Sequence, residues 1–171
     1  RMREADAYPQ LYQESAARKT KDKAINVLQG RSAGGSTTVN WTSCFRTPAT
    51  TLAHWQREFG LKDLTVEAMA PWFDAVDRRL SIRYWDLSPN ENNNLLRQAA
   101  WKLGVSVAPI RRNVKGCWNL GYCGMGCPTN AKQSMLVTTI PQALSRGATL
   151  LTRTRAERLV IQGDRVTSLD C

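Results

Sequence analysis

A short glycine-rich stretch constrains this chain more than any other part of its sequence. Residues 30–41 are Gly-Arg-Ser-Ala-Gly-Gly-Ser-Thr-Thr-Val-Asn-Trp. Adjacent glycines let a backbone turn sharply and let a ligand approach it closely. The hydroxyl and amide side chains that follow them can hydrogen-bond beside exposed backbone amides. The stretch predicts a loop that lines a phosphate group or a flat polar ring, and a plain glycine turn before a β-branched strand is the alternative.

The order of these residues resembles a signature of the glucose-methanol-choline (GMC) flavin oxidoreductases. Gly-Gly-Ser-Thr-Thr-Val-Asn follows Gly-Arg and precedes Phe45-Arg46-Thr47-Pro48. In that family the segment runs past the pyrophosphate and the flavin ring of bound FAD. The resemblance therefore implies a set of FAD-binding residues, namely Gly34, Gly35, Ser36, Thr37 and Asn40.

The C-terminal part of the chain resembles the same family. It contains Gly147-Ala-Thr-Leu-Leu-Thr, then Arg158-Leu-Val, then Gly163-Asp-Arg-Val. In the family this β-meander packs on the FAD domain, and one backbone group, aligned here with Ala156, meets the adenine. The resemblance implies a mixed α+β fold, with a helical middle and a C-terminal meander, that is part of a larger FAD/NAD(P)-binding α/β fold.

Two features of the family are missing from this sequence. No Gly-x-Gly-x-x-Gly follows a strand, although a dinucleotide fold needs one to receive the pyrophosphate. The only histidine, His54, lies in a predicted helix and is not expected to be the catalytic base, so no catalytic residue is expected here. We therefore expect an internal fragment with a flavin-loop segment at 1–49, a helical cap segment at 50–131 and a second FAD-domain segment at 132–171. The intact enzyme would oxidise an alcohol, sugar or polyol by hydride transfer to FAD, with a separate electron acceptor as a further partner.

Hydrophobic periodicity predicts three helices in the middle of the chain. The first runs from Thr50 to a stop at Gly60, the second is capped around Thr65, and the third runs from Leu95 to Leu103 after an asparagine-rich loop. A fourth helix is predicted over 133–144. Strands are predicted at 24–28, 105–110, 149–152, 156–162 and 165–169, with Gly163-Asp164 as the last turn.

Three of the five cysteines are closely spaced, in the pattern Cys117-x5-Cys123-x3-Cys127. Zinc would need a fourth ligand, which the pattern does not supply. Soft thiolates suit iron–sulfur chemistry, and sugar dehydrogenases of the GMC family hold a [3Fe–4S] cluster in a similar loop. The alternative is three buried or reactive thiols, with or without one disulfide. An iron–sulfur or thiol module built on these residues is thus a third hypothesis, after a flavoenzyme and a nucleic-acid-binding module.

The chain has 24 Lys plus Arg against 14 Asp plus Glu, a net charge of +10. This excess makes a nucleic-acid-binding module the second hypothesis. Helix-turn-helix, zinc-finger and RNP patterns are missing, so nucleic acid is not an expected partner. We expect a soluble protein, without a signal peptide or transmembrane segment in this stretch. The missing parts of its own chain are expected partners, and so is a second copy of the fragment.

Overall fold

The computed structural model describes residues 3–171, which contain five α-helices and five short strands. The helices are α1 (Glu4–Leu11), α2 (Ala49–Phe59), α3 (Val66–Arg79), α4 (Glu91–Lys102) and α5 (Thr139–Leu144). The strands are β1 (Ser43–Cys44), β2 (Ile82–Tyr84), β3 (Arg111–Asn113), β4 (Arg158–Gln162) and β5 (Arg165–Asp170). The mixed α+β class predicted from the sequence is confirmed. The first two residues of the predicted 1–49 segment lie outside the described residues.

The three middle helices confirm the periodicity argument, and their ends show why they form where they do. α2 stops at Gly60, which adopts a left-handed φ of 67° that a glycine tolerates at no steric cost. α3 starts after Thr65, whose hydroxyl accepts a hydrogen bond from the Ala68 N–H at 3.1 Å. α4 starts four residues before Leu95, because the Asn90 side chain caps the Asn93 N–H at 2.9 Å. The run of asparagines therefore forms the first helical turn and not the predicted loop.

A small antiparallel sheet connects two distant parts of the sequence. Its strand order is β1-β3-β2, with Cys44 opposite Arg111 and Tyr84 opposite Arg111 on the other side. β1 follows the glycine-rich stretch, and β3 precedes the cysteine-rich stretch. Their pairing brings these two loops to the same end of the sheet.

The buried core lies under the same two loops. Its apolar members are Ala7, Tyr12, Val39, Leu52, Val114 and Ala131. They come from α1 and the residue that follows it, the glycine-rich stretch, α2 and both flanks of the cysteine-rich stretch. Burial of these side chains is the main stabilising contribution to that end of the molecule.

Three predicted strands are wrong. Residues 24–28 make a single isolated bridge, between Asn26 and Lys19. Residues 105–110 are irregular, and the ladder begins only at Arg111, after Pro109, which has no N–H to donate. Residues 149–152 are also irregular, so the expected meander is reduced to the hairpin of β4 and β5.

The predicted helix over 133–144 is shorter than expected and begins at Thr139. The preceding residues form turns that attach to the glycine-rich stretch, as where the Met135 N–H donates to Thr37 Oγ1 at 3.0 Å. Pro141 falls in the first turn of α5, where its missing N–H leaves no helical hydrogen bond unmade.

The chain divides into a first unit that extends to Ile140 and a second unit, Pro141–Cys171. The second unit holds α5 from Pro141 onward and the β4–β5 hairpin, whose turn at Gly163-Asp164 is confirmed. The predicted segment boundaries after residues 49 and 131 stay predictions. None of the helices within residues 3–171 has the length and apolar composition needed to cross a bilayer.

Candidate functional site

The glycine-rich stretch folds into a tight loop around a single 3₁₀ turn, Gly35–Thr38. The Gly30 N–H donates to Ser36 Oγ at 3.0 Å, which closes the loop on itself. A side chain at Gly30 would lie 2.8 Å from the backbone of Gly35, so this position admits only glycine. We call residues 30–41 the glycine loop.

The hydroxyl side chains of the glycine loop are used to build it. Thr37 Oγ1 donates to the Gly34 carbonyl, and Thr38 Oγ1 donates to the Ala33 carbonyl at 2.9 Å. Ser32 differs, because its Oγ is buried and has no hydrogen-bond partner in the described part of the chain. Buried polar atoms are rarely left unpaired, so this oxygen is a candidate contact for a bound group.

The two adjacent glycines have different surroundings. Gly34 has a φ of 86°, and a side chain there would lie 2.8 Å from the Leu136 backbone nitrogen. Gly35 has a φ of 59°, and a side chain there would meet nothing within 4 Å. Gly34 is therefore packed against its own protein, whereas Gly35 has an open side that a ligand can approach.

Lys132 attaches the glycine loop to the cysteine-rich stretch. Its Nζ donates to the carbonyl oxygens of Thr38 at 2.9 Å, Asn40 at 2.6 Å and Cys123 at 2.7 Å. The side chain is only 2% exposed. Burial lowers the pKa of Lys132, and the thiol groups of Cys123 and Cys127 act in the opposite direction.

Tyr12 makes a second, uncharged connection between the same loops. Its hydroxyl lies 3.2 Å from the Val39 carbonyl and 2.6 Å from the Gly124 carbonyl. The residue is 1% exposed. Trp41 adds a packing contact, since a side chain at Gly124 would lie 2.8 Å from its ring. The two loops thus form one packed structure.

The three clustered cysteines line one cavity of about 190 Å³, together with aromatic side chains and Arg112. The aromatic lining is Trp41, Trp85, Trp118 and Tyr122. Arg112 lies over the Trp85 ring at 4.4 Å and donates to Thr42 Oγ1 at 2.7 Å. The cavity therefore combines an apolar surface with one guanidinium group.

The cysteines do not fit a metal or cluster site. Within residues 3–171, no group of three His, Cys, Asp or Glu side chains is arranged to hold a metal ion. Each sulfur also has a protein hydrogen-bond partner. Arg112 contacts Cys123 Sγ at 3.5 Å, the Asn119 N–H donates to Cys117 Sγ, and the Lys132 N–H donates to Cys127 Sγ.

All five cysteines are free thiols, so the disulfide that the sequence left open is not formed. Burial alone would raise the pKa of Cys127, but hydrogen bonds from the Lys132 N–H and from Thr129 outweigh it and hold this pKa below its usual range. Burial raises the pKa of the Cys44 thiol. These opposite shifts make Cys127 the more reactive thiol of the two.

The structure brings together most of the residues predicted to bind FAD. Gly34, Gly35, Ser36, Thr37 and Asn40 share the glycine loop. Asn40 Oδ1 accepts from the Thr42 N–H at 3.2 Å, which fixes the side chain near the end of the loop. Ala156 lies in the second unit, exposed, just before β4, and its contact with adenine stays a prediction. His54 is an exposed residue of α2 that packs edge-on against Phe59.

Three residues at the centre of this arrangement were not predicted as site residues, namely Tyr12, Arg112 and Lys132. Each acts on backbone carbonyls or on residues far away in the sequence. The sequence offered only weak signals for two of them: Lys132 is a polar residue after the cysteines, and Arg112 belongs to the basic pair Arg111-Arg112. Contacts of this kind depend on how distant segments meet, which no local pattern records.

A model of the GMC oxidoreductase family matches residues 8–171 of this chain. An uncharacterised GMC-type oxidoreductase of Mycobacterium tuberculosis is 35% identical over 162 residues, which cover 94% of this chain and 26% of that protein. A long-chain-alcohol oxidase of Arabidopsis thaliana is 30% identical over 152 residues, 89% of this chain and 20% of the oxidase. A second Arabidopsis long-chain-alcohol oxidase is 27% identical over 164 residues, 93% of this chain and 21% of its own length.

The chain thus spans between a fifth and about a quarter of the length of these relatives. No solved structure matches it.

Proposed function

Because this chain belongs to the GMC oxidoreductase family, we propose that it is part of a longer FAD-dependent enzyme that oxidises an alcohol. The observation that carries the proposal is the open left-handed position at Gly35, in a loop whose shape is held by hydrogen bonds from Gly30 to Ser36 and from Thr38 to Ala33. Such a position is the natural place for a planar or phosphate-bearing group to approach a backbone closely.

Two further features support an anionic, ring-bearing cofactor at this loop. The Ser32 hydroxyl is buried and unpaired within the described residues. The Lys132 ammonium lies behind the same loop and forms no ion pair with a carboxylate of residues 3–171. A positive charge so placed favours a pyrophosphate or an electron-rich ring over a neutral ligand.

In this proposal the residues of the chain bind and orient and do not transfer protons. Gly34 and Gly35 allow close approach, Ser36 and Thr37 hold the shape of the loop, and Asn40 lies at the end of it. Ala156 contributes a backbone contact to the adenine. FAD, when bound, supplies the hydride-accepting ring. The base that removes the hydroxyl proton is placed outside this chain.

We propose that the substrate is an alcohol with an apolar chain rather than a sugar or a polyol. The support is the name of the Arabidopsis relatives, long-chain-alcohol oxidases, and the aromatic lining of the cavity next to the glycine loop. No role in the reaction is given to an iron–sulfur cluster, because the three thiols do not fit one.

The test is an absorbance spectrum of the intact enzyme, followed by anaerobic addition of alcohols. We expect a flavin spectrum that bleaches with a long-chain primary alcohol and less with glucose. A protein that holds no flavin would contradict the FAD assignment, and a colourless protein that binds nucleic acid would favour the nucleic-acid-binding hypothesis. Bleaching by glucose alone would overturn the substrate assignment while leaving the flavin assignment intact.

A further inference from the structure

The side chain of Lys132 uses every donor it has on backbone carbonyls. Three acceptor oxygens, from Thr38, Asn40 and Cys123, lie 2.6–2.9 Å from Nζ. Three acceptors need three N–H bonds, which the ammonium form has and the neutral amine lacks. The geometry therefore requires a protonated lysine at a site that is 2% exposed. A buried positive charge lies directly behind the glycine loop.

The hydrogen bond to Asn40 also determines how the next peptide is oriented. The Asn40–Trp41 peptide is trans, so its C=O and N–H point in opposite directions. Because the C=O points at Lys132, the Trp41 N–H points away from it. That N–H donates to no acceptor within residues 3–171. The ammonium thus presents an unused backbone donor on the opposite side of the loop.

We propose that Lys132 is a positioning residue for the flavin, an inference that rests on the function proposed above. It holds the Asn40–Trp41 peptide so that the Trp41 N–H faces the ring, and its own charge acts on the ring through the loop. A ring that accepts a hydride becomes more electron-rich, so a fixed donor and a nearby cation stabilise its reduced form more than its oxidised form. Lys132 thereby raises the reduction potential of the bound cofactor.

Tyr12 provides a matched control, because it joins the same two loops without a charge. Its hydroxyl contacts the Val39 and Gly124 carbonyls, each next to a carbonyl that Lys132 contacts. Tyr12→Phe removes this connection and leaves the ammonium in place. A role in loop attachment alone would make the two residues equivalent, whereas the proposal makes them different.

The experiment measures the midpoint potential of the bound flavin in the intact, flavin-loaded enzyme, with the melting temperature recorded alongside. In Lys132→Met we expect the preference for reduced over oxidised flavin to fall at least tenfold, which is about 30 mV for a two-electron couple. In Tyr12→Phe we expect a lower melting temperature and an unchanged potential. Lys132→Arg keeps the charge and should recover most of the potential.

If Lys132→Met does not fold, Lys132→Gln replaces it, because the amide keeps two N–H donors and lacks the charge. Lys132→Gln should then lower the midpoint potential of the bound flavin, and Lys132→Arg should not. Equal potentials in the wild type, the neutral variant and the arginine variant would overturn the inference while the enzyme still bound flavin. A wild-type enzyme without flavin would instead overturn the function on which the inference rests.

Discussion

The two glycines at the centre of the loop allow a sharp test, because the same substitution should mainly lower stability at Gly34 and mainly weaken ligand binding at Gly35. Gly35→Ala places a methyl group in open space at a φ of 59°. A non-glycine residue in the left-handed region costs about 1–2 kcal/mol. Gly34→Ala carries the same cost at a φ of 86° and also places the methyl 2.8 Å from the Leu136 nitrogen. Overpacking against a backbone atom adds roughly 1–3 kcal/mol.

The assay measures two quantities on the intact enzyme, the urea midpoint of the apoprotein and the flavin content after reconstitution. We expect Gly34→Ala to lower the free energy of unfolding by about 3 kcal/mol in total. We expect Gly35→Ala to lower it by about half of that or less, yet to weaken FAD binding at least tenfold, which corresponds to roughly 1.4 kcal/mol. The reason is that its methyl group occupies the space a ligand would use.

One result would refute this reasoning directly. If Gly35→Ala folds as expected and still takes up a full complement of FAD with unchanged affinity, the open side of Gly35 is not the ligand side. The loop would then be a structural turn, which is the alternative that its sequence left open. A large stability loss at Gly35 with none at Gly34 would show that the packing described for the two glycines is reversed.

Two further predictions concern other parts of the molecule. Asp77 accepts hydrogen bonds from Arg46 and Arg111; burial would raise its pKa, but these bonds outweigh burial and lower it. The stabilisation from the ionised Asp77 is therefore complete above the unfolded-state pKa of about 3.9, and it is lost as the pH falls through the lower folded-state pKa. The urea midpoints of the wild type and of Asp77→Asn should consequently differ at neutral pH and converge in acid. The 171-residue chain alone should show no fluorescence quenching in a titration with micromolar FAD, and it should not scatter light as a 19.2 kDa monomer. Self-association is expected because apolar side chains such as Ile161 and Val166 are about 60% exposed. A clean monomer with micromolar FAD affinity would contradict the second prediction.

Local patterns predicted the helices well, because capping and periodicity are properties of neighbouring residues. Thr65 and Gly60 mark the ends of α3 and α2 where the sequence placed them. The β4–β5 hairpin was predictable for the same reason, since Gly163 supplies the turn. The start of α4 was misplaced because Asn90 and the asparagines after it are typical of both loops and helix caps.

The rest of the site depends on contacts between distant segments. Apolar and smaller residues alternate over 105–110 as they would in a strand. The strand nevertheless forms only from Arg111, because β1 and β2 pair with residues 111–113 and not with the residues before them. Residues 133–138 have helical periodicity, but attachment to Thr37 holds them in turns. Lys132 could be recognised as important only after the two loops were seen together. The glycine loop was found from its sequence because its constraint, backbone freedom, lies in the residues themselves.

The attachment between the two loops has a consequence for how freely this region can be redesigned. The side chains of Lys132 and Tyr12 hydrogen-bond to the main-chain oxygens of their partners and not to the partners' side chains. These hydrogen bonds therefore do not depend on the side chains of the residues that accept them, and many side chains of the cysteine-rich stretch could be substituted without breaking them. Gly124 must be kept, because the Trp41 ring leaves no room for a side chain, and so must Gly116, Gly121 and Gly126, whose φ angles of 64°, 72° and 89° are left-handed. Replacing the three thiols of the cavity with serine, while keeping these glycines, Tyr12 and Lys132, would retain a hydrogen-bond acceptor at each position and remove the oxidisable sulfur atoms.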